Sequence, residues 1–93
     1  MSLDALRKRI DAIDRELVDL LCRRAETAVQ IGAEKRQQHV TIHDPSREDE
    51  VLAQAARCNR GPLSAAAVRA IFRNIMDACS QVQEDQNAAG GKA

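Results

Sequence analysis

Apolar residues at spacings of three and four open the chain: Leu3, Leu6, Ile10, Ile13, Leu17 and Leu20, resuming at Ala28 and Ile31. That spacing belongs to one face of an amphipathic helix, or to a coiled-coil seam. Ser2 or Asp4 can cap its start. No Gly or Pro interrupts it before Gly32, and the pattern continues to about Gln38. One glycine costs roughly 1 kcal/mol inside a helix, so the helix is expected to pass through it. About 35 residues at 1.5 Å each give a rod of roughly 50 Å. A compact chain of this size has a diameter of about 30 Å. The helix must overhang its own domain, and its apolar seam needs a cover there. A second copy supplying a matching helix is the simplest cover.

The seam carries two cations. Arg24 takes the next seam position after Leu20, and Lys35 falls one step past Ile31. A buried cation is costly unless something negative meets it, so two on one inner face point to an anionic ligand between helices. They are eleven residues apart in sequence. On a helix they project within about 20° of each other and roughly 16 Å apart, and both can reach one small molecule. Arg7 lies on the same general side but about 42 Å from Lys35 along a straight helix. It cannot serve the Lys35 pocket of its own chain, but in an antiparallel dimer it could reach the partner's.

The rest of the composition narrows the class. Ninety-three residues make one small domain, with no Trp, no Tyr, a single Phe at position 72 and much alanine in its 44% hydrophobic content. So thin a core favours oligomerisation. With 14 cationic and 14 anionic side chains the net charge is zero. Nothing in that balance recruits nucleic acid or an anionic membrane, and the aromatic residues that stack on bases are missing. The three cysteines, Cys22, Cys58 and Cys79, have no metal-ligand spacing. They are expected to be small buried hydrophobes in a reducing compartment. There is no signal peptide and no apolar run near ~18 residues, so a cytoplasmic protein is expected.

Val40-Thr41-Ile42 is β-branched and marks a short extended connection. Asp44-Pro45 then starts a second helix, with Asp as cap and Pro at the first position. It runs to about Cys58, with Val51, Leu52, Ala55 and Ala56 facing inward, and Asn59-Arg60-Gly61-Pro62 ends it. Ser64 caps a third helix with the apolar face Val68, Ile71, Phe72, Ile75, Met76, Cys79 and Val82. The domain is expected to occupy residues 1–86, with 87–93 a polar flexible tail. Asp44, Arg47 and Glu48 crowd the first turn of helix two, where free N–H groups favour an anion or a hydroxyl oxygen. Cys79 and Gln83 sit one turn apart on the inner face of helix three. Gln83 either donates to a buried ligand or marks where that helix leaves the core. His39 and His43 lack acidic or Cys partners at useful spacing, so no metal site is expected. No nucleophile–base–orienter set and no glycine-rich phosphate loop appears. Arg and Lys with few proton-transfer groups fit electrostatic preorganisation.

These residues, in this order, resemble the all-helical chorismate mutases over roughly residues 3–83. The resemblance rests on Leu6-Arg7, Ile10-Asp11-Ala12-Ile13-Asp14, Leu20-Leu21-Cys22-Arg23-Arg24, Ile31-Gly32-Ala33-Glu34-Lys35 and Asp44-Pro45-Ser46-Arg47-Glu48. Gly61-Pro62-Leu63-Ser64 followed by Ile71-Phe72-Arg73-Asn74-Ile75-Met76 looks most like the mutase domains fused to prephenate dehydratase. The resemblance implies an all-α fold of three helices, one very long, in an intertwined homodimer with two shared active sites. It implies the Claisen rearrangement of chorismate to prephenate in phenylalanine and tyrosine biosynthesis, without a cofactor. Arg24 and the partner's Arg7 would hold the two substrate carboxylates. Lys35 and Gln83 would meet the ether oxygen, and Glu48 and the backbone N–H of Asp44 the ring hydroxyl, with Arg47 lining the same region. Cys79 stands where such relatives commonly carry Ser, near the ring carboxylate, and a thiol is a weaker donor than a hydroxyl.

Two other classes share part of this pattern. Isochorismate-pyruvate lyases have the same helical fold, but the Glu48 position tends to be apolar in them. A non-catalytic domain that binds chorismate or prephenate as a regulatory signal would explain the helices, though not the need for so complete a polar set. A plain coiled-coil module would leave the seam cations unexplained.

Overall fold

The computed structural model describes residues 2–90, and those residues form three helices and no strand. Helix α1 spans Leu3–Gln37, α2 Pro45–Cys58 and α3 Ala65–Gly90. Each start is fixed by a short polar side chain that accepts from an otherwise orphaned backbone N–H. Ser2 Oγ accepts from Ala5 N at 3.0 Å, Asp44 Oδ1 from Arg47 N at 3.1 Å, and Ser64 Oγ from Ala67 N at 3.0 Å.

The ends differ in chemistry. After α1 the N–H of His39 donates to Arg36 O at 3.2 Å, and that of Val40 to Lys35 O at 2.8 Å. This pair of bonds closes a helix end with one left-handed residue, usually glycine. Here it is His39, at φ 58°. After α2, Asn59 takes over: its Oδ1 accepts from Gly61 N at 2.9 Å and its Nδ2 donates to Leu63 O at 2.7 Å. Gly61, at φ +76°, supplies the left-handed turn this needs.

Helix α3 packs against both others, while the α1 and α2 backbones do not approach each other. The core is accordingly a thin line along α3: Val68, Met76 and Cys79, met by Ala28 and Gly32 of α1 and Ala55 of α2. No large side chain is fully buried among the described residues. Three expectations need correction. Cys22 and Cys58 are exposed and only Cys79 is buried, because the first two line open grooves beside α3 that nothing in the single chain covers. Ile71 is 46% exposed for the same reason. And helix three, expected to run to about Gln83 or beyond, continues to Gly90, so residues 87–90 of the expected tail are helical. Glu84 to Ala88 contains no helix breaker, and Asn87 Nδ2 bonds back to Gly32 O on α1 at 3.3 Å. Residues 91–93 lie outside the described residues.

The shape follows from α1. The radius of gyration is 16.5 Å, with extents of 55 × 27 × 14 Å, against about 12 Å for a compact chain of this length. Along the overhang Leu3, Leu6, Ile10, Ile13, Leu17 and Leu20 are all at least 42% exposed. No described helix is long and apolar enough to cross a membrane.

The left-handed His39 can be tested by substitution. A left-handed non-glycine residue costs roughly 1–2 kcal/mol, and glycine's added chain entropy costs roughly 0.5–1 kcal/mol. His39→Gly is therefore expected to raise unfolding stability by about 0.5 kcal/mol, read from the urea midpoint. A lower midpoint would mean that the imidazole itself contributes to the fold.

Candidate functional site

Because α3 holds α1 and α2 apart, a cavity of about 280 Å³ opens between them. Arg24 and Lys35 reach it from α1, Asp44, Arg47 and Glu48 from the start of α2, and Cys79 and Gln83 from α3. The sequence singles these out on separate grounds, and the fold gathers all seven. Ile31, Val51 and Met76 supply apolar wall, and Thr27 and Ser80 add hydroxyls that no sequence pattern selects. Arg7 does not line the cavity. It sits on the exposed overhang, as the length of α1 requires for its own chain.

The cations at this site divide into two kinds. Arg47 Nη1 pairs with Glu50 Oε2 at 3.3 Å in solvent, with both side chains more than half exposed. Arg73 Nη1 pairs with Glu48 Oε1 at 3.2 Å. Arg24 and Lys35 instead meet neutral acceptors. Arg24 Nη1 donates to Cys79 Sγ at 3.1 Å, and Lys35 Nζ donates to Ile42 O at 2.9 Å. Among the described residues neither has a carboxylate within ion-pair distance. Both are partly buried, so solvent compensates them incompletely. The cavity thus presents two cations whose positions are held by dipoles and whose charge is left for a ligand.

Local structure places the remaining groups. The Asp44 side chain is committed to capping α2, so its carboxylate is partly engaged by the helix start it faces. Glu48, one turn further on, has a side chain only 20% exposed. Its Oε2 lies 3.7 Å from His43 Nδ1, while Arg73 holds Oε1 from α3. Gln83 is 9% exposed and has no side-chain hydrogen bond among the described residues. It therefore faces the cavity with donor and acceptor both free, and α3 continues beyond it, so it does not mark the helix leaving the core. Cys79 accepts from Arg24 here, and its S–H stays available as a weak donor.

Arg73 and the carbonyl of Ile42 are the parts the sequence did not reveal. Arg73 lies 25 residues from Glu48 on another helix, and nothing in the local spacing marks it from the other surface arginines. A backbone carbonyl has no sequence signature of its own.

Comparison with known proteins places this arrangement. The family model described as chorismate mutase type II matches residues 6–84. The bifunctional chorismate mutase/prephenate dehydratase of Aquifex aeolicus is 37% identical over 86 residues, covering 88% of this chain and 24% of that protein. The chain spans about a quarter of the length of the bifunctional relatives it matches. Among solved structures, chorismate mutase (form II) of Thermus thermophilus superposes with a TM-score of 0.86 at 33% identity, over 88% of this chain and 93% of that one. The chorismate mutase of Helicobacter pylori, solved in complex with prephenate, gives 0.85 at 31% identity, over 92% and 93%.

The Arg73–Glu48 pair is testable without any ligand. Arg73→Gln and Glu48→Gln should each cost little, and a double-mutant cycle should give a coupling of about 0.5 kcal/mol, as for partly exposed pairs. Additive urea-unfolding free energies would show that the two side chains do not interact in solution.

Proposed function

The chain belongs to the type II chorismate mutase family, and on that premise we propose that it rearranges chorismate to prephenate on the route to phenylalanine and tyrosine. One observation carries the reading. Arg24 and Lys35 line a cavity in which, among the described residues, a thiol and a carbonyl oxygen are their hydrogen-bond partners. A dicarboxylate bound there gains charge-assisted hydrogen bonds that solvent no longer contests.

In the reaction the ether C–O bond breaks as a C–C bond forms within one molecule. No proton is transferred and no external group is needed, which suits a cavity with no nucleophile–base pair. What the protein must supply is conformer restriction and charge complementarity. Arg24 holds one substrate carboxylate and the partner's Arg7 the other, drawing the chain over the ring into its reactive fold. Lys35 and Gln83 meet the ether oxygen, where negative charge grows as the bond breaks. An interaction stronger in the transition state than in the ground state is the kind that accelerates. A millionfold rate gain needs about 8 kcal/mol, within reach of these two effects together. Glu48 accepts from the ring hydroxyl and the Asp44 N–H donates to it, with Arg47 beside them.

The assembly is an intertwined homodimer. Its support is the apolar stripe from Leu3 to Leu20, exposed in the single chain, and the groove beside it formed by Val18, Leu21, Ile71, Ile75 and Val82. The same overhang carries Arg7, so covering the stripe and completing the site are one event. A reducing cytoplasm suits the three free cysteines.

Incubation with chorismate should yield prephenate, and incubation with isochorismate should yield no pyruvate. No turnover of chorismate would sink the reading, and pyruvate would favour the lyase activity. Lys35→Ala should lower kcat by about a hundredfold or more while leaving the unfolding midpoint nearly unchanged. Parallel losses in both would make Lys35 structural. Sedimentation should report a dimer. Mixing Arg7→Ala with Arg24→Ala chains should restore one intact site per heterodimer, and heterodimers that form without regaining activity would count against sharing.

A further inference from the structure

Gly32 is the one glycine inside the long helix before its end, and it is buried. A methyl group built on its Cα would stand 3.1 Å from Cγ and 3.2 Å from Cβ of Gln83, and 3.7 Å from Oδ1 of Asn87. The first two separations are tighter than carbon–carbon contacts at about 3.5–4.0 Å. Asn87, one turn beyond Gln83 on α3, donates its Nδ2 to the carbonyl oxygen of the same glycine at 3.3 Å. Gln83 itself is 9% exposed, lines the cavity, and has no side-chain partner among the described residues.

We propose that Gly32 and Asn87 are positioning residues that set the Gln83 amide at the reacting end of the cavity. The proposal rests on the mutase reading for the role of Gln83. The missing Cβ lets the stem of Gln83 lie directly on the α1 backbone, so its first two carbons have nowhere to shift inward. The Asn87 bond ties α3 to α1 at the same residue and fixes how far one helix can slide along the other. With the stem seated, only the outer torsions of Gln83 remain to be ordered when the ligand arrives. A helix that accepts a glycine at an unfavourable interior position gains here a contact that any larger residue would displace.

The test separates position from stability. In Gly32→Ala the helix gains propensity while the contact is pushed apart by a few tenths of an ångström. The unfolding midpoint should therefore hold or rise while kcat falls about tenfold with KM little changed, since small misplacements of a transition-state contact are costly. Asn87→Ala should lower kcat in the same way but less. In a Gln83→Ala background Gly32→Ala should cost no further activity. Without substrate, the Gln83 side-chain amide resonances in a ¹⁵N spectrum should shift in Gly32→Ala and in Asn87→Ala. An unchanged kcat, an equal loss in the Gln83→Ala background, or unshifted Gln83 resonances would overturn the proposal. Wild-type turnover of chorismate checks the mutase reading separately, and the spectra decide the positioning even if that turnover is absent.

Discussion

Arg24 and Lys35 are anchored by groups that orient them without neutralising them. A thiol sulfur and a carbonyl oxygen accept one hydrogen bond each, which fixes where each cation stands and leaves its charge uncompensated. Had both met carboxylates of their own chain, neither charge would be left for a ligand. The placement of the helices follows the same need. α3 touches both neighbours while α1 and α2 stay apart, so the charged faces of α1 and α2 look across a space rather than at each other.

That arrangement has a cost in the core. The line of contact along α3 is made largely from small residues, with Ala28, Gly32, Ala55 and Cys79 buried and no large side chain fully enclosed among the described residues. Small residues bring the helix backbones close, and close backbones are what bring Gln83 to the cavity edge. They also bury little apolar area, roughly 25 cal/mol for each Å². The overhanging stripe of α1 holds the apolar surface that this core lacks. The proposed dimer supplies both at once: burial for Leu3 to Leu20, and a cation from Arg7 for a site that its own chain cannot complete.

Helix ends do much of the chemical placement. The turn around His39 brings Ile42 back against α1, and its carbonyl then anchors Lys35. The Asp44 cap starts α2 at the cavity mouth, so that Glu48 falls one turn inside, where Arg73 reaches it from α3. Each device is local, and each is spent on one functional group. This is why residues scattered over all three helices, from Arg24 to Gln83, can converge on one small space.

Helix identity, helix starts and the anomalous cations were legible in the chain itself, because periodicity, caps and seam positions are properties of near neighbours. The length of α1 against the size of the domain likewise implies an overhang. What the sequence could not settle were relations between distant positions. That Arg73 meets Glu48 across 25 residues depends on how α2 lies on α3. That Cys79 accepts from Arg24 depends on which lone pair faces which guanidinium. Cys22 and Cys58, expected to be small buried hydrophobes, and Ile71, on the apolar face of helix three, stand exposed, since a helix face is wider than the line of contact one neighbouring helix makes. Residues 87–90 read as a tail by composition but form helix, with Asn87 held by a carbonyl 55 residues away. Sequence alone determined that two cations needed a negative partner. Only the tertiary structure decided that no carboxylate among the described residues would be that partner: Asp44 is spent on the α2 cap, Glu50 on Arg47, and Glu48 on Arg73 of α3.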